Sequence, residues 1–369
     1  LENKIEFIRI IGEIVVFIMI LLSVFLFTVK TKNKLSNRLF GIYLLVIAFD
    51  LIGLFTNKTV DYPNIHILKV SSSLLQLPLF YLYVLAACYS NFKLKKTHII
   101  HGLLFLLFAF IFKITAFSDQ SVLFYEVIGE LQFLTYIIAV FLVLKKYKTL
   151  YLENYSNANY AIYKWIFQIT VFACIAHSFV LIRWYLSNSI YQQYILDINT
   201  LISVCVLLIT IFFVLKALYQ PDLFTGVNMH LKPVKSIIEK NTSKTIIQKS
   251  TSENQYLKKL TSFMDIEKPY LDFELTLQKL ASQLNISEKE LSILINHHLG
   301  KHFFDFINEY RINEAKIILK DPDKEDITIL EILYQVGFNS KSSFYTAFKK
   351  TANQTPTQYR KEALSLKSK

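Results

Sequence analysis

The stretch VGFNSKSSFYTAFKK, residues 336–350, decides how the C-terminal third of this chain is read. Gly337 can adopt a positive φ and so supplies a tight turn. Asn339 or Ser340 caps the helix that follows, whose inner face is Phe344, Ala347 and Phe348, with Phe338 as a further anchor. Lys341, Ser342, Tyr345, Thr346 and Lys349 then face outward. Just upstream, Thr328 and Glu331 form a capping box, a hydroxyl and a carboxylate three residues apart that satisfy free amides at a helix start, and it opens the helix ILEILYQV. Two short helices joined by a turn make a helix–turn–helix, whose second helix enters the major groove and meets base edges with its N-terminal residues.

The pattern occurs a second time, in LTLQKLASQLNISEKELSILINHHLG, 275–300. Leu277, Leu280, Ala281 and Leu284 recur at helical spacing, Asn285 and Ile286 make the turn, and Ser287 with Glu290 is another capping box. The next helix buries Leu291, Leu294, Ile295 and Leu299 and leaves Lys289, Ser292 and Asn296 on its other side. Between the two units runs FDFINEYRINEAKIILK, 304–320, one longer helix, followed by the acidic connector DPDKED. From Lys341 to the end seven basic residues (Lys341, Lys349, Lys350, Arg360, Lys361, Lys367, Lys369) stand against Glu362 alone. A basic face turned away from an acidic connector is the footprint of phosphate contact. The expected DNA-contact set is Lys289, Ser292, Asn296, Ser340, Lys341, Ser342, Tyr345, Thr346, Lys349 and Arg360.

The first 220 residues have a different solvent. Overall 53% of the 369 residues are hydrophobic and 18% charged, where an ordinary soluble domain carries about 25% charge. Apolar runs of the roughly 20 residues that a spanning helix needs fall at 8–29, 38–56, 65–89, 99–117, 122–144, 165–186 and 195–218. The first is followed by lysines instead of a small-residue cleavage site, so it reads as a span and not as a signal peptide. The formal charge of +12 resides mainly in this half, which has 18 Lys or Arg against 10 Asp or Glu, so net charge alone is no nucleic-acid signature. Its distribution is informative. Lys30, Lys32, Lys34, Arg38, Lys93, Lys95, Lys96, Lys145, Lys146, Lys148 and Lys164 lie on alternate loops, and the intervening ones offer only Lys58. The positive-inside rule then puts the N-terminus outside and the tail after 218 in the cytoplasm.

On seven helices so oriented, the charges within spans (Glu13, Asp50, Lys69, Lys113, Glu126, Glu130, Arg183 and Asp197) all fall in the outer half. Charges in a bilayer are costly and face a partner or a watery cavity. They are expected to form an outward-facing sensor pocket, with His66, Gln76, Gln132, His177 and Asn199 as neighbours, for a small ligand or an envelope signal of unknown identity. Cys88, Cys174 and Cys205 lie far apart in apolar runs and read as small buried residues.

Residues 1–220 thus form a membrane sensor domain and 270–369 a DNA-binding domain. The stretch 221–269, rich in Lys, Ser, Thr and Asn, is a juxtamembrane linker with a short helix at 256–265. Paired modules on such a tether gain effective concentration, so a homodimer is compatible with the layout, and 256–265 is either its contact or a helix packed on its own domain. The fold class is all-α: a seven-transmembrane-helix bundle, then a cytoplasmic all-helical domain of two helix–turn–helix units joined by a long helix. No nucleophile–base pair, metal cluster or phosphate loop points to an enzyme or a cofactor. The alternative class is a transporter or channel with a regulatory tail, which calls for interrupted helices and midmembrane charges.

At these residues the chain resembles the AraC/XylS family of bacterial transcription regulators. The resemblance covers 270–364 and is carried by LTLQKLASQLNIS, FINEYRINEAKIIL and ILYQVGFNSKSSFYTAFKKTANQTPTQYR, with the closing TP–x–x–YR at 355–360. It implies two helix–turn–helix units reading successive major-groove segments of double-stranded DNA. Lys289, Ser292 and Asn296 would lie on the first recognition helix, and Lys341, Ser342, Tyr345 and Lys349 on the second. The chain departs from the family at Leu333, where a small residue is usual, and at Asn353, where Gly is usual; Asn tolerates the left-handed helix end. The whole arrangement is similar to membrane-embedded regulators of this type, one-component proteins that sense a signal at the inner membrane and bind specific DNA.

Overall fold

A computed structural model describes residues 2–29, 34–54, 60–156, 161–187, 189–219 and 250–365. Lys30, Lys32, Lys58, Lys367, Lys369 and the linker stretch 220–249 lie outside them. The described residues fold into helices joined by turns and short extended connections, with an antiparallel bridge from Tyr155 to Thr276 outside the helices. The chain divides into two compact units, Leu1–Tyr147 with Tyr160–Met229, and Lys148–Asn159 with His230–Lys369.

The first unit is built from α1 (Glu2–Thr28), α2 (Lys34–Leu51), α3 (Pro63–Ser72), α4 (Gln76–Cys88), α5 (Leu103–Thr115), α6 (Asp119–Asn154) as far as Tyr147, α7 (Ala161–Ser187) and α8 (Ile195–Tyr219). Six segments are long and apolar enough to cross a membrane: Glu2–Thr28, Pro63–Cys88, Lys96–Thr115, Asp119–Asn154, Ile162–Ser187 and Gln192–Lys216. The remaining predicted span corresponds to α2, which has 18 residues and carries Lys34, Arg38 and Asp50 within them. Helix α1 is apolar on its buried and exposed sides alike from Ile14 to Leu22. In α1, Ile11, Val15 and Met19 are buried against Ala48 and the half-buried Val204 and Leu207, while Phe17, Leu21 and Val24 are exposed. A helix with no polar face belongs in a large core or in lipid. Small residues bring α1 and α2 close, as membrane helices require in the absence of a hydrophobic drive between them: Ser23 Oγ donates to the Gly41 carbonyl at 2.9 Å.

The run at 65–89 is interrupted, which its hydropathy did not reveal. A 3-10 turn at Ser73–Leu75 separates α3 from α4. Ser72 and Ser73 donate back to the carbonyls of Lys69 and Val70, both at 2.9 Å, a local competition that loosens a helix. Pro78 has no N–H for the carbonyl four residues before it, that of Leu74. Gln132 Nε2 on α6 supplies the missing donor at 3.0 Å. The polar side chain expected to line a pocket here satisfies the backbone. Helix α6 differs from expectation in length: it runs ten residues beyond the predicted span end at 144, over KKYKTLYLEN. Lysine, leucine and glutamate are good helix formers, so the fall in hydropathy after 144 does not end the helix.

The second unit contains α9 (Ser250–Glu267), α10 (Leu277–Leu284), α11 (Glu288–Ile293, continued by a π turn at Leu294–His298), α12 (Phe303–Lys320), α13 (Ile329–Gln335), α14 (Lys341–Ala352) and α15 (Pro356–Ser365). Both capping boxes form: Ser287 N–H donates to Glu290 at 3.0 Å and Glu290 N–H to Ser287 Oγ at 3.1 Å, with 2.8 and 3.1 Å for the Thr328–Glu331 pair. The Thr328 amide and hydroxyl hold the Glu331 carboxyl below its usual range. A third such box, Thr355 with Gln358, opens α15 ahead of Pro356. The left-handed conformations expected at Gly337 and Asn353 are present, at φ of 86° and 56°, and the turn expected at Asn285 is made with a φ of 55°.

Two cores result. Leu277, Leu280, Leu284, Leu291, Ile295, Phe303 and Ile307 form the first, and Leu260 and Met264 of α9 are buried in it. The helix expected at 256–265 therefore buries Leu260 and Met264 in its own domain. Ile312, Ala315, Leu319, Ile332, Leu333, Phe344 and Phe348 form the second, and Leu333 is accommodated in it at 1% exposure despite its size. Helix α12 serves both cores, the first with its N-terminal half and the second with its C-terminal half. Gly337 has no room for a side chain, since a Cβ there would stand 2.6 Å from the Tyr270 carbonyl oxygen and 3.0 Å from Arg311 Nε. Gly337→Ala is expected to cost about 1–3 kcal/mol from the backbone conformation alone. Amide exchange across 329–348 in the full chain should rise by more than about fivefold, and unchanged exchange would contradict this account of the turn.

Candidate nucleic-acid interface

Helix α14 starts at Ser340, whose Oγ accepts from the Ser343 N–H at 3.2 Å and bonds the Ser343 hydroxyl at 2.7 Å. Phe344 and Phe348, one turn apart, are fully buried and fix the rotation of the helix. With that face inward, Lys341, Ser342, Thr346 and Lys349 are exposed and Tyr345 half-buried. Positions 341, 345 and 349 recur every four residues, and 342 with 346 does the same, so the five form one surface. The Lys341 ammonium stands 5.6 Å from the centre of the Tyr345 ring. The Thr346 hydroxyl donates to the Ser342 carbonyl at 2.8 Å and keeps its acceptor capacity.

The first unit presents fewer of its expected side chains. Lys289 is exposed at the start of α11. Ser292 is buried at 6% exposure, and its carbonyl accepts from Asn296 Nδ2 at 2.9 Å. Asn296 is half-buried within the π turn, which has no evident signature in the sequence. Arg360 is likewise engaged: its guanidinium donates to the Ile327 carbonyl at 2.7 Å and to that of Glu325 at 3.2 Å, fastening α15 to the acidic connector. Ser292 and Arg360 thus have structural work, as does the capping hydroxyl of Ser340. Lys350, counted only in the basic balance, pairs with Asp305 at 2.7 Å.

The group that sequence reading missed is Arg311. It occupies the buried stripe of α12 at 0% exposure, four residues after Ile307 and four before Ala315. Nε donates to the Tyr270 carbonyl at 2.6 Å and Nη2 to that of Asp272 at 2.7 Å. Its cation lies 5.6 Å from the centre of the Phe338 ring. Burial pushes its pKa down to about 10, against the pull of the Asp272 carboxylate. A guanidinium at a core position of an amphipathic helix was the available signal.

The charged residues of the spans do not gather at one point. Asp50 stands 3.8 Å from Lys69 and accepts from Gln76 Nε2 at 3.2 Å. Glu130 meets His177 at 2.8 Å, and the Phe133 ring stacks on that imidazole at 3.6 Å. Glu13 pairs with Arg9 at 2.9 Å and Asp197 with Lys4. Glu126 is half-buried, and Lys113 and Arg183 are exposed. The result is two half-buried polar centres, Asp50–Lys69–Gln76 and Glu130–His177, with two exposed pairs.

The surface on α14 can contact phosphates through its lysines and base edges through its hydroxyls. Lys349→Ala is expected to weaken DNA binding evenly across sequences and to lower the slope of log affinity on log salt by about 1. A loss confined to one DNA sequence would contradict a phosphate role.

Residues 280–362 match the family described as a helix-turn-helix domain. An uncharacterized HTH-type transcriptional regulator of Staphylococcus aureus (strain COL) is 40% identical over 87 residues, which are 24% of this chain and 11% of that protein. The uncharacterized HTH-type transcriptional regulator YdeC of Bacillus subtilis (strain 168) is 32% identical over 88 residues, 24% of this chain and 29% of that one. The chain spans less than a third of the length of these relatives. Among solved structures, the C-terminal domain of AraT, a response regulator from Geobacillus stearothermophilus, aligns at 31% identity over 28% of this chain and 82% of that chain, with a TM-score of 0.25. The C-terminal domain of the two-component response regulator yesN from Fusobacterium nucleatum aligns at 32% identity over 29% and 98%, also with a TM-score of 0.25. Residues 280–362 are thus a helix-turn-helix domain of the AraC type, and the proteins similar to it there are named HTH-type transcriptional regulators.

Proposed function

We propose that the chain is a one-component transcription regulator held in the inner membrane. Its seven N-terminal segments cross the bilayer with the N-terminus outside. Its AraC-type domain binds double-stranded promoter DNA from the cytoplasm, and a signal received among the spans alters that binding. The observation that carries the reading is the exposed row Lys341, Ser342, Tyr345, Thr346 and Lys349 over a rigid aromatic core, in one chain with six helices suited to lipid. The candidate sensor elements are the Asp50–Lys69–Gln76 and Glu130–His177 centres, since buried or half-buried charge among spans marks function by default. A ligand acts on such a protein only through different affinity for two arrangements.

The transporter alternative retains one supporting observation, the interrupted span at Ser73–Leu75 close in sequence to Lys69 and Gln76. The test is a gel-shift of the full chain in lipid nanodiscs on DNA upstream of its own locus, at two salt concentrations. Sequence-selective retention is expected; a failure to retain any fragment at low salt, together with substrate flux in vesicles, would replace the regulator with the transporter. A reporter fused to the C-terminus should stay inside the cell, and its export would end the proposed topology. For Glu130→Ala the expected outcome is a full-length, membrane-inserted protein that no longer alters transcription in response to its signal. A normal response would remove Glu130 from the sensor.

A further inference from the structure

The segment Lys148–Asn159 belongs to the second compact unit, although helix α6, which it completes, begins at Asp119 among the candidate spans. Its described end is held by a dense set of bonds. Arg311 Nη1 donates to the Ser156 carbonyl at 3.0 Å and Nη2 to the Ser156 hydroxyl at 3.2 Å. The Ser156 hydroxyl donates in turn to the Leu275 carbonyl at 2.6 Å, and Asn308 Nδ2 reaches the Ser156 carbonyl at 3.3 Å. Tyr155 pairs with Thr276, the N-cap of α10, and stacks on Tyr151 at 4.9 Å. Ser156 is 1% exposed.

The place where this segment docks matters more than the number of bonds. Arg311 sits on α12 between the two cores. It bonds the Tyr270–Asp272 turn that precedes the first helix–turn–helix and lies against Phe338 in the turn of the second. It is therefore the point through which the two recognition helices are fixed relative to each other. Two of its N–H groups are completed by Ser156. A buried guanidinium left with unfilled donors is costly, so withdrawing Ser156 makes the present arrangement of Arg311 and its neighbours unfavourable.

We propose that residues 148–156 are the output arm of the membrane domain, an intrachain plug that seats Ser156 on the Arg311 hub and so sets the relative placement of the two DNA-reading helices. The proposal rests on the regulator reading above for its biological sense, but the docking itself does not. Since α6 is one continuous helix, a rotation or shift among the spans reaches Ser156 without an intervening flexible loop. The partner surface is the socket of Arg311, Asn308, Leu275 and Thr276, and its occupant is a segment of this chain.

The test uses the full chain in lipid nanodiscs and two substitutions outside the DNA-reading surface. Ser156→Ala removes only the hydroxyl; Ser156→Trp cannot occupy the buried site and ejects the segment. Hydrogen exchange read by mass spectrometry is expected to rise severalfold at 154–156 and 270–276 for the alanine variant and tenfold or more for the tryptophan variant. Exchange in 344–352 should be unchanged. Affinity for a DNA fragment that spans both half-sites should change at least fivefold in the tryptophan variant, while affinity for a single half-site should not. Unchanged exchange at 270–276 in both variants would overturn the docking. Raised exchange with unchanged two-site affinity would overturn the output role. A wild-type chain that binds no DNA, with exchange behaving as expected, would leave the plug standing and fell the regulator reading instead.

Discussion

A buried guanidinium constrains everything packed around it, because its five N–H groups must find acceptors in a space with no water to supply them. Arg311 is such a group, and two pieces of chain distant in sequence, the Tyr270–Asp272 turn and Ser156, meet its demand together with Asn308 on its own helix. None of the direct acceptors is a carboxylate. Main-chain carbonyls cannot be shifted without moving the backbone, so the arginine specifies positions where an ion pair between flexible side chains would only bring them near. Gly337 follows from the same constraint. Its missing Cβ leaves room for the Tyr270 carbonyl and for Arg311 Nε, so the second helix–turn–helix can close against the turn that introduces the first.

Local chemistry was legible in the sequence where it depends on neighbours within a few residues. The capping boxes at Ser287–Glu290 and Thr328–Glu331, the turn at Asn285, the left-handed positions at Gly337 and Asn353, and the apolar spacing of Phe344 and Phe348 could each be read from four or five letters. The missed features depend on something distant. Ser156 shows nothing in its own surroundings that predicts a partner 155 residues away. The break at Ser73–Leu75 persists because Gln132 on another helix receives the carbonyl that Pro78 cannot. Helix α9 sits in a stretch whose composition reads as a tether, and only the burial of Leu260 and Met264 assigns it to a core. For the candidate DNA contacts, helical spacing identified the outward face of α14 but could not foresee that Ser292 is buried or that Arg360 is occupied by carbonyls.

Among the spans, hydropathy counted charges and could not pair them. Of the eight residues assigned to one pocket, Glu13, Asp50, Lys69, Glu130 and Asp197 stand in separate pairs. Glu13 reaches Arg9 one turn away, whereas Glu130 finds His177 on the adjoining helix. The first kind of pair ties a helix to itself and is insensitive to how helices move. The second kind, with Asp50–Lys69 and Asp197–Lys4 as further examples, crosses between helices and changes its distance when they shift. If one of these centres receives a signal, the physical requirement is the same for each: the ion must prefer one arrangement of two helices over another.

Helix α6 connects these considerations. It carries Gln132, which completes the broken span, and Glu130, which holds His177. Its 36 residues extend about 54 Å at the usual rise, well past the roughly 30 Å of a bilayer core, and end two residues before Ser156. A helix resists bending far better than a loop, so an axial shift or rotation at Glu130 is carried to the end of the helix largely undiminished. A shift of about 1–2 Å is typical of helix switching, and it is ample there, since the bonds at Ser156 lie between 2.6 and 3.3 Å and interactions of this kind weaken steeply as they lengthen. Under the proposed output role, a small movement near a polar centre would cost several hydrogen bonds around one buried cation. That response is steeper than an exposed surface contact would give, because water can replace the lost partner of an exposed group and cannot do so for Arg311.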